Sequence, residues 1–216
     1  MLPDFYREME MLEAKVPEAE MLFCRTIFRK FDGVEPDALE QEYAGIIPGW
    51  LEMISAGQRL QCPSVVVRSE TYRKVGGFDT RLKFVIDWEM WVRIAAFSAV
   101  AYLPVALVEY RVHDQSETAR LKSSGCITDD LAEAYRVLST TLRRHGSDRH
   151  RRNVLNYVIW CSWNAALSAE SCGNFLAARR EACSALKCWL LLMRPKQVYR
   201  LVKLVVRTSL RRTVNE

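Results

Sequence analysis

The chain has 216 residues, 50% of them hydrophobic, 10% aromatic and 26% charged, which is globular composition and excludes disordered, collagen-like and low-complexity architectures. Charge is uneven: residues 1–120 carry 14 basic against 19 acidic side chains and residues 121–216 carry 17 against 7, within a net charge of +5. An acidic first part and a basic second part suggest two functional regions.

Seven cysteines, at 24, 62, 126, 161, 172, 183 and 188, form an odd set with no Cys-x-x-Cys pair, and only three histidines accompany them. This pattern reads as reduced thiols in a cytosolic protein rather than a disulfide or zinc framework. The first residues, charged by the fourth position, read as no secretory signal. The longest uncharged stretch, residues 153–169, holds three asparagines and two serines and falls short of the ~20 apolar residues of a membrane span.

In chain order, Met9, Leu12 and Val16 keep helical spacing up to Pro17, Met21 to Phe28 reads as a strand, and Phe31-Asp32-Gly33 as a turn. Ile46 to Ile54 predicts a short helix ended near Gly57. Pro63 to Arg68 carries the β-branched run of a buried strand. Ser69 is placed to cap a helix through Val75, which Gly76-Gly77 stops. Another helix is expected from Trp88 to Phe97 with Asp87 at its beginning, then two short strands, Ala99 to Leu103 and Ala106 to Val112, parted by Pro104. Beyond Gln115 the pattern turns helical, over 129–144, 149–170, 174–190 and 196–212, with breaks at Gly146, Gly173 and Pro195. Around Gly173, Trp160, Trp163, Ala166 and Leu167 are expected to face Phe175, Ala178, Ala182 and Leu186 in a helical hairpin of tetratricopeptide type. The chain thus reads as α/β over residues 1–120, followed by an all-α helical extension over 121–216.

The stretch from Val65 to Ser116 carries the chemistry. It contains the Gly76-Gly77-Phe78-Asp79 turn, the helix opening Asp87-Trp88-Glu89-Met90-Trp91-Val92-Arg93, and the strand ending Tyr110-Arg111-Val112-His113-Asp114-Gln115-Ser116. In order and spacing these three features resemble the second half of the catalytic domain of family 2 glycosyltransferases. The resemblance implies a partial GT-A-like fold, the acceptor-side half of a Rossmann-like domain. It also implies inverting transfer of a sugar from a nucleotide-diphosphate donor to a hydroxyl of a glycan or lipid-linked acceptor, as in polysaccharide biosynthesis for the cell envelope.

An inverting transferase must remove a proton from the attacking hydroxyl, so it needs a carboxylate within hydrogen-bond reach. By resemblance Asp87 holds that place, and a helix N-terminus favours its ionised form; the alternative is a simple helix cap. Gly76, Gly77, Trp88 and Arg111 are implied on the substrate side. The two glycines can equally end a helix, and Trp88 and Trp91 read as core or cleft wall. Glu89 and Arg93, four apart, can form an ion pair. His113 is implied near the diphosphate and a divalent metal, Mn or Mg; its other reading is a surface loop histidine.

Family 2 enzymes begin with a nucleotide-binding half that ends in an Asp-x-Asp motif. The first 60 residues here show no such motif, no glycine-rich phosphate loop and no second βαβ unit. The expectation is therefore a truncated transferase whose metal and nucleotide are held mostly by an absent half, and which is inactive alone. A second expectation of another class is a non-catalytic helical module carrying a degenerate transferase remnant. Nucleic acid is not an expected partner. Lys196, Arg200, Lys203, Arg207 and Arg211 share one helical face opposite Val198, Leu201, Val202 and Val205. Preceded by Trp189 to Met193, this stripe predicts association with an anionic membrane surface, placing the chain in the cytoplasm, peripheral on the inner face.

Overall fold

β1 (Ala19–Lys30) is the strand on which the molecule is built. Alternate residues point to opposite faces of a strand, and here both faces are covered. Met21 and Phe23 enter one core and Leu22 and Cys24 another, all at most 1% exposed. The structure is a computed structural model that describes residues 1–30, 33–36, 39, 41–113, 115–191 and 202–203.

β1 runs parallel to β5 (Ala99–Arg111), paired from Ala19 opposite Ala99 to Arg29 opposite Arg111 with register shifts along the way. On its other side β1 pairs antiparallel with β4 (Val65–Val67) and with β2 (Gly33–Pro36), while β3 (Gly45–Ile46) pairs antiparallel with β5. The result is a curled mixed sheet in a mixed α/β fold.

One face of the sheet is covered by α1 (Phe5–Lys15), whose Phe5, Met9 and Leu12 lie on one helical stripe and pack on Leu22, Cys24, Ala101 and Val108. The other face carries α2 (Trp50–Ser55) and α4 (Ile86–Ala95); α3 (Ser69–Val75) follows β4. After β5 come α5 (Glu117–Ser124), α6 (Ile127–Arg144), α7 (Asp148–Ser171) and α8 (Phe175–Leu191). Ile127, Leu131, Ala134, Leu138 and Leu142 recur at helical spacing along α6. With Val154 and Val158 of α7 they join Phe23, Trp50, Trp88, Trp91 and Tyr102 in one continuous core. The helical part is thus packed directly onto the α/β part.

Within the helical part, a buried carboxylate ties α8 to α6. Glu181 of α8 is 1% exposed and accepts hydrogen bonds from the backbone N–H groups of Ile127 and Thr128, at 2.7 and 2.8 Å. These belong to the first turn of α6, where N–H groups have no partner within the helix and a negative charge is favoured. The α8–α6 approach also needs Gly125: at φ +74°, a Cβ there would lie 2.9 Å from the Cα of Ala177. Glu181→Ala strands two buried donors and is expected to cost about 2–3 kcal/mol of stability. Urea unfolding of parent and variant measures it; equal midpoints would show that water replaces the carboxylate without loss.

Three local expectations are corrected. Ile46 belongs to β3, and the helix begins only at Trp50, because Gly45 and Ile46 add to the sheet opposite Tyr102 and Ala101. β5 is one strand running through Pro104: Leu103 pairs with Cys24 and Ala106 with Arg25, so Pro104 and Val105 bulge out of the ladder where the ring supplies no N–H. α5, absent from the sequence reading, is a short polar helix capped by Ser116 Oγ, which accepts from Ala119 N at 3.2 Å.

The α7–α8 hairpin forms as expected through Trp163, Ala166, Leu167, Ala182 and Leu186, but Trp160 turns away from it and is 61% exposed. The turn expected at Phe31-Asp32-Gly33 and the basic segment 196–212 fall largely outside the described residues. Among the described residues no helix is long and apolar enough to cross a membrane.

Candidate functional site

The loop that leads into α4 is held from α6. Asp130 accepts hydrogen bonds from the backbone N–H groups of Lys83, Phe84 and Val85, at 2.8, 2.9 and 3.0 Å. With the loop fixed, α4 starts at Ile86 and Asp87 falls in its first turn. Gln58 Nε2 donates to Asp87 Oδ2 at 3.1 Å and the Trp88 N–H to Oδ1 at 2.7 Å. These bonds and the helix terminus favour the carboxylate, yet burial outweighs them and pushes the Asp87 carboxyl above its ordinary range. The interactions that set this balance include no cation.

The wall around Asp87 is polar but uncharged. Trp88 is 1% exposed, donates its indole N–H to the Ile54 carbonyl at 2.8 Å, and lies 4.8 Å from the Tyr157 ring. Burial pushes the Tyr157 hydroxyl up, and the Cys161 thiol next to it up to about 11. Burial and the nearby Asp87 charge raise Cys62. Such surroundings keep a carboxylate poorly solvated and proton-hungry, as a general base requires.

A sign follows for stability. The folded chain binds the Asp87 proton more tightly than the unfolded chain, so the buried charge is destabilising above the folded pKa. The penalty fades as pH falls to the unfolded value of ~3.9. Asp87→Asn is therefore expected to melt higher than the parent at about pH 7, with the gain shrinking towards about pH 4. Thermal melts across that range check it; an Asn variant that melts lower at neutral pH would contradict the desolvation.

The Gly-Gly turn and the Glu-Arg pair form one structural unit beside this site. Arg93 donates through Nε and Nη2 to both Glu89 carboxylate oxygens, at 2.9 and 2.8 Å, and to the Val75 and Gly77 carbonyls, at 2.7 and 2.9 Å. Gly76 has φ +88°, and a Cβ there would sit 3.3 Å from Arg93 Nη1. Arg93 thus ties the end of α3 to α4 and occupies the Gly77 carbonyl. Trp88 supports Asp87 from the core.

Arg111 and His113 are exposed at and beyond the end of β5. Arg111 lines a small recess of about 210 Å³ with Met1, Leu2 and the Arg29–Glu109 pair, which Arg29 Nη2 closes at 2.6 Å. No hydrogen bond or ion pair among the described residues joins either residue to Asp87. Nor do three His, Cys, Asp or Glu side chains gather at metal-binding distance among the described residues. No such group of three includes His113.

Gln58, Tyr157, Cys161 and Asp130 are the site residues that sequence reasoning missed. A glutamine in a loop and a tyrosine early in a long helix carry no motif. Asp130 signals a helix N-terminus but not the loop that the helix end grips.

Phe84 and Tyr157 also line a cleft of about 990 Å³, which continues along α7 past Trp160, Asn164 and Ser168 and is faced by Lys122 of α5. Comparison with family models, curated proteins and solved structures finds no match to this chain.

Proposed function

We propose that this chain carries the acceptor side of an inverting glycosyl transfer, with Asp87 as the general base. The observation that carries the proposal is the placement of Asp87: a half-buried carboxylate in the first turn of a helix, set without a cation behind Tyr157, which lines an open cleft. The three sequence features shared with family 2 glycosyltransferases support it. The parallel β1/β5 pair with α4 between them in the chain suits the acceptor-side half of a GT-A-like domain.

In this scheme the acceptor hydroxyl hydrogen-bonds to an Asp87 oxygen. As the hydroxyl oxygen attacks the anomeric carbon, its proton passes to Asp87 and the bond from that carbon to the nucleotide diphosphate breaks on the opposite face. Gln58 and the Trp88 N–H hold the carboxylate in place, and Arg93 keeps the Gly76-Gly77 turn next to α4. The nucleotide diphosphate and any divalent metal fall to groups other than those described. A glycan or lipid-linked acceptor suits a basic chain working at the cytoplasmic face of a membrane.

The test is transfer itself. The chain, supplied with the nucleotide-binding half of a family 2 enzyme fused ahead of residue 1, is incubated with radiolabelled nucleotide sugars, Mn²⁺ and oligosaccharide acceptors. Label on an acceptor is the expected result. No label from any donor would favour the other reading, a non-catalytic helical module.

A further inference from the structure

Beside Asp87, the face of α7 presents side chains with no structural task. Trp160 is 61% exposed although it is the largest residue type, and its ring lies 6.2 Å from that of Tyr157 at an angle of 18°. The two rings form one offset, nearly parallel shelf. A protein does not gain by leaving an indole in water, and this one packs against neither α6 nor α8.

Polar groups border the shelf. Asn164 and Ser168 follow Trp160 at intervals of four along α7, so they share its helical face, and Lys122 faces them from α5. Among the described residues no hydrogen bond or ion pair engages the Lys122 ammonium, the Ser168 hydroxyl or the Asn164 amide oxygen. Asn164 uses only its amide N–H, which donates to the Trp160 carbonyl at 2.8 Å. The cleft volume of about 990 Å³ matches the upper end of ligand clefts, about 300–1,000 Å³.

This chemistry selects among ligands. An acyl chain would bury Lys122, Asn164 and Ser168 against hydrocarbon, which is costly without partners. A nucleotide diphosphate would find one cation, Lys122, with the Glu170 carboxylate on the same cleft wall. A pyranose has a C–H face and a rim of hydroxyls, which suit an aromatic plane bordered by amide, hydroxyl and ammonium groups.

We propose that this cleft binds an oligosaccharide, the sugar chain of the acceptor, laid along the Tyr157–Trp160 shelf with its reacting end towards Asp87. The orientation follows from Tyr157, which lines the cleft and touches Trp88 and the Gln58 backbone, while Gln58 holds Asp87. The identity of the sugar chain as acceptor rests on the proposed transfer reaction; the saccharide site itself does not. Lys122 and Ser168 are positioned to bond hydroxyls, and Trp160 supplies the contact area.

The experiment uses the full chain and needs no turnover. Chitotetraose, cellotetraose, maltotetraose and mannotetraose are titrated separately while intrinsic tryptophan fluorescence and saturation-transfer NMR are recorded. At least one is expected to bind with a dissociation constant of about 0.1–5 mM, and Trp160→Ala should weaken it about tenfold. Tyr6→Ala, an exposed aromatic on α1, should leave the affinity unchanged. Silence from all four up to about 20 mM would overturn the site. So would equal affinity of Trp160→Ala and parent. Because binding is read without transfer, failure here leaves the role of Asp87 to stand or fall on its own assay.

Discussion

Asp87→Asn is expected to lower glycosyl transfer by about two to four orders of magnitude, with donor affinity nearly unchanged. The amide keeps the size of the carboxylate, and its one oxygen can still accept from either Gln58 Nε2 or the Trp88 N–H. What it cannot do is take a proton as the acceptor oxygen attacks, so the loss falls on the transition state rather than on binding. The parent rate should rise with pH until Asp87 is fully ionised. Because burial lifts its carboxyl, that rise should extend above the usual carboxylate range. Steady-state kinetics of parent and variant, with the donor-binding half present, decide the matter. Equal turnover would reduce Asp87 to a helix residue.

The second large effect concerns the frame of the site. Glu89 is fully buried and Arg93 is 12% exposed, and their bidentate contact is supplemented by the two carbonyls that Arg93 binds. Glu89→Ala leaves a guanidinium with its charge uncompensated in the interior, and removal of one partner of a buried pair costs about 3–5 kcal/mol. Replacing both residues by methionine should cost distinctly less, since neither charge then remains to be desolvated. Chemical unfolding of the single and double variants measures the difference. A double variant less stable than Glu89→Ala would mean that the carbonyl contacts of Arg93 outweigh its pairing with Glu89.

The elements that were legible in the sequence are those whose signal is local. The spacing of Met9 and Leu12, the β-branched run before Arg68, and the apolar stripes of α6 and α8 each reflect a repeat set by the backbone geometry. Asp87 was placed at the start of its helix for the same reason. What stayed hidden depends on partners far away in the chain. Periodicity tells that Trp160 and Trp163 lie on α7, but not that α8 covers one and leaves the other bare. Gln58 and Asp87 are 29 positions apart and meet only because α2 and α4 pack on one face of the sheet.

Pro104 misled for a different reason. A proline lacking its N–H normally ends a central strand, but here β3 pairs with β5 only at Ala101 and Tyr102, and a bulge on the β1 side removes the need for the missing donor. The polar anchors show the same limit. Glu181 and Asp130 are ordinary acidic helix residues in the sequence, and only the assembled helices reveal that each grips backbone N–H groups of another segment.

The central claim is that Asp87 is a desolvated base facing the acceptor, and carbon-13 titration of its side-chain carboxyl addresses this without any donor. The resonance is assigned by its loss in Asp87→Asn, and its pH midpoint is followed with and without the saccharide that binds the full chain. A midpoint above the ordinary aspartate value of ~3.9, moved by the saccharide, is the expected result. A carboxyl that titrates at the ordinary value and does not respond to saccharide would contradict the assignment of Asp87 as the acceptor base.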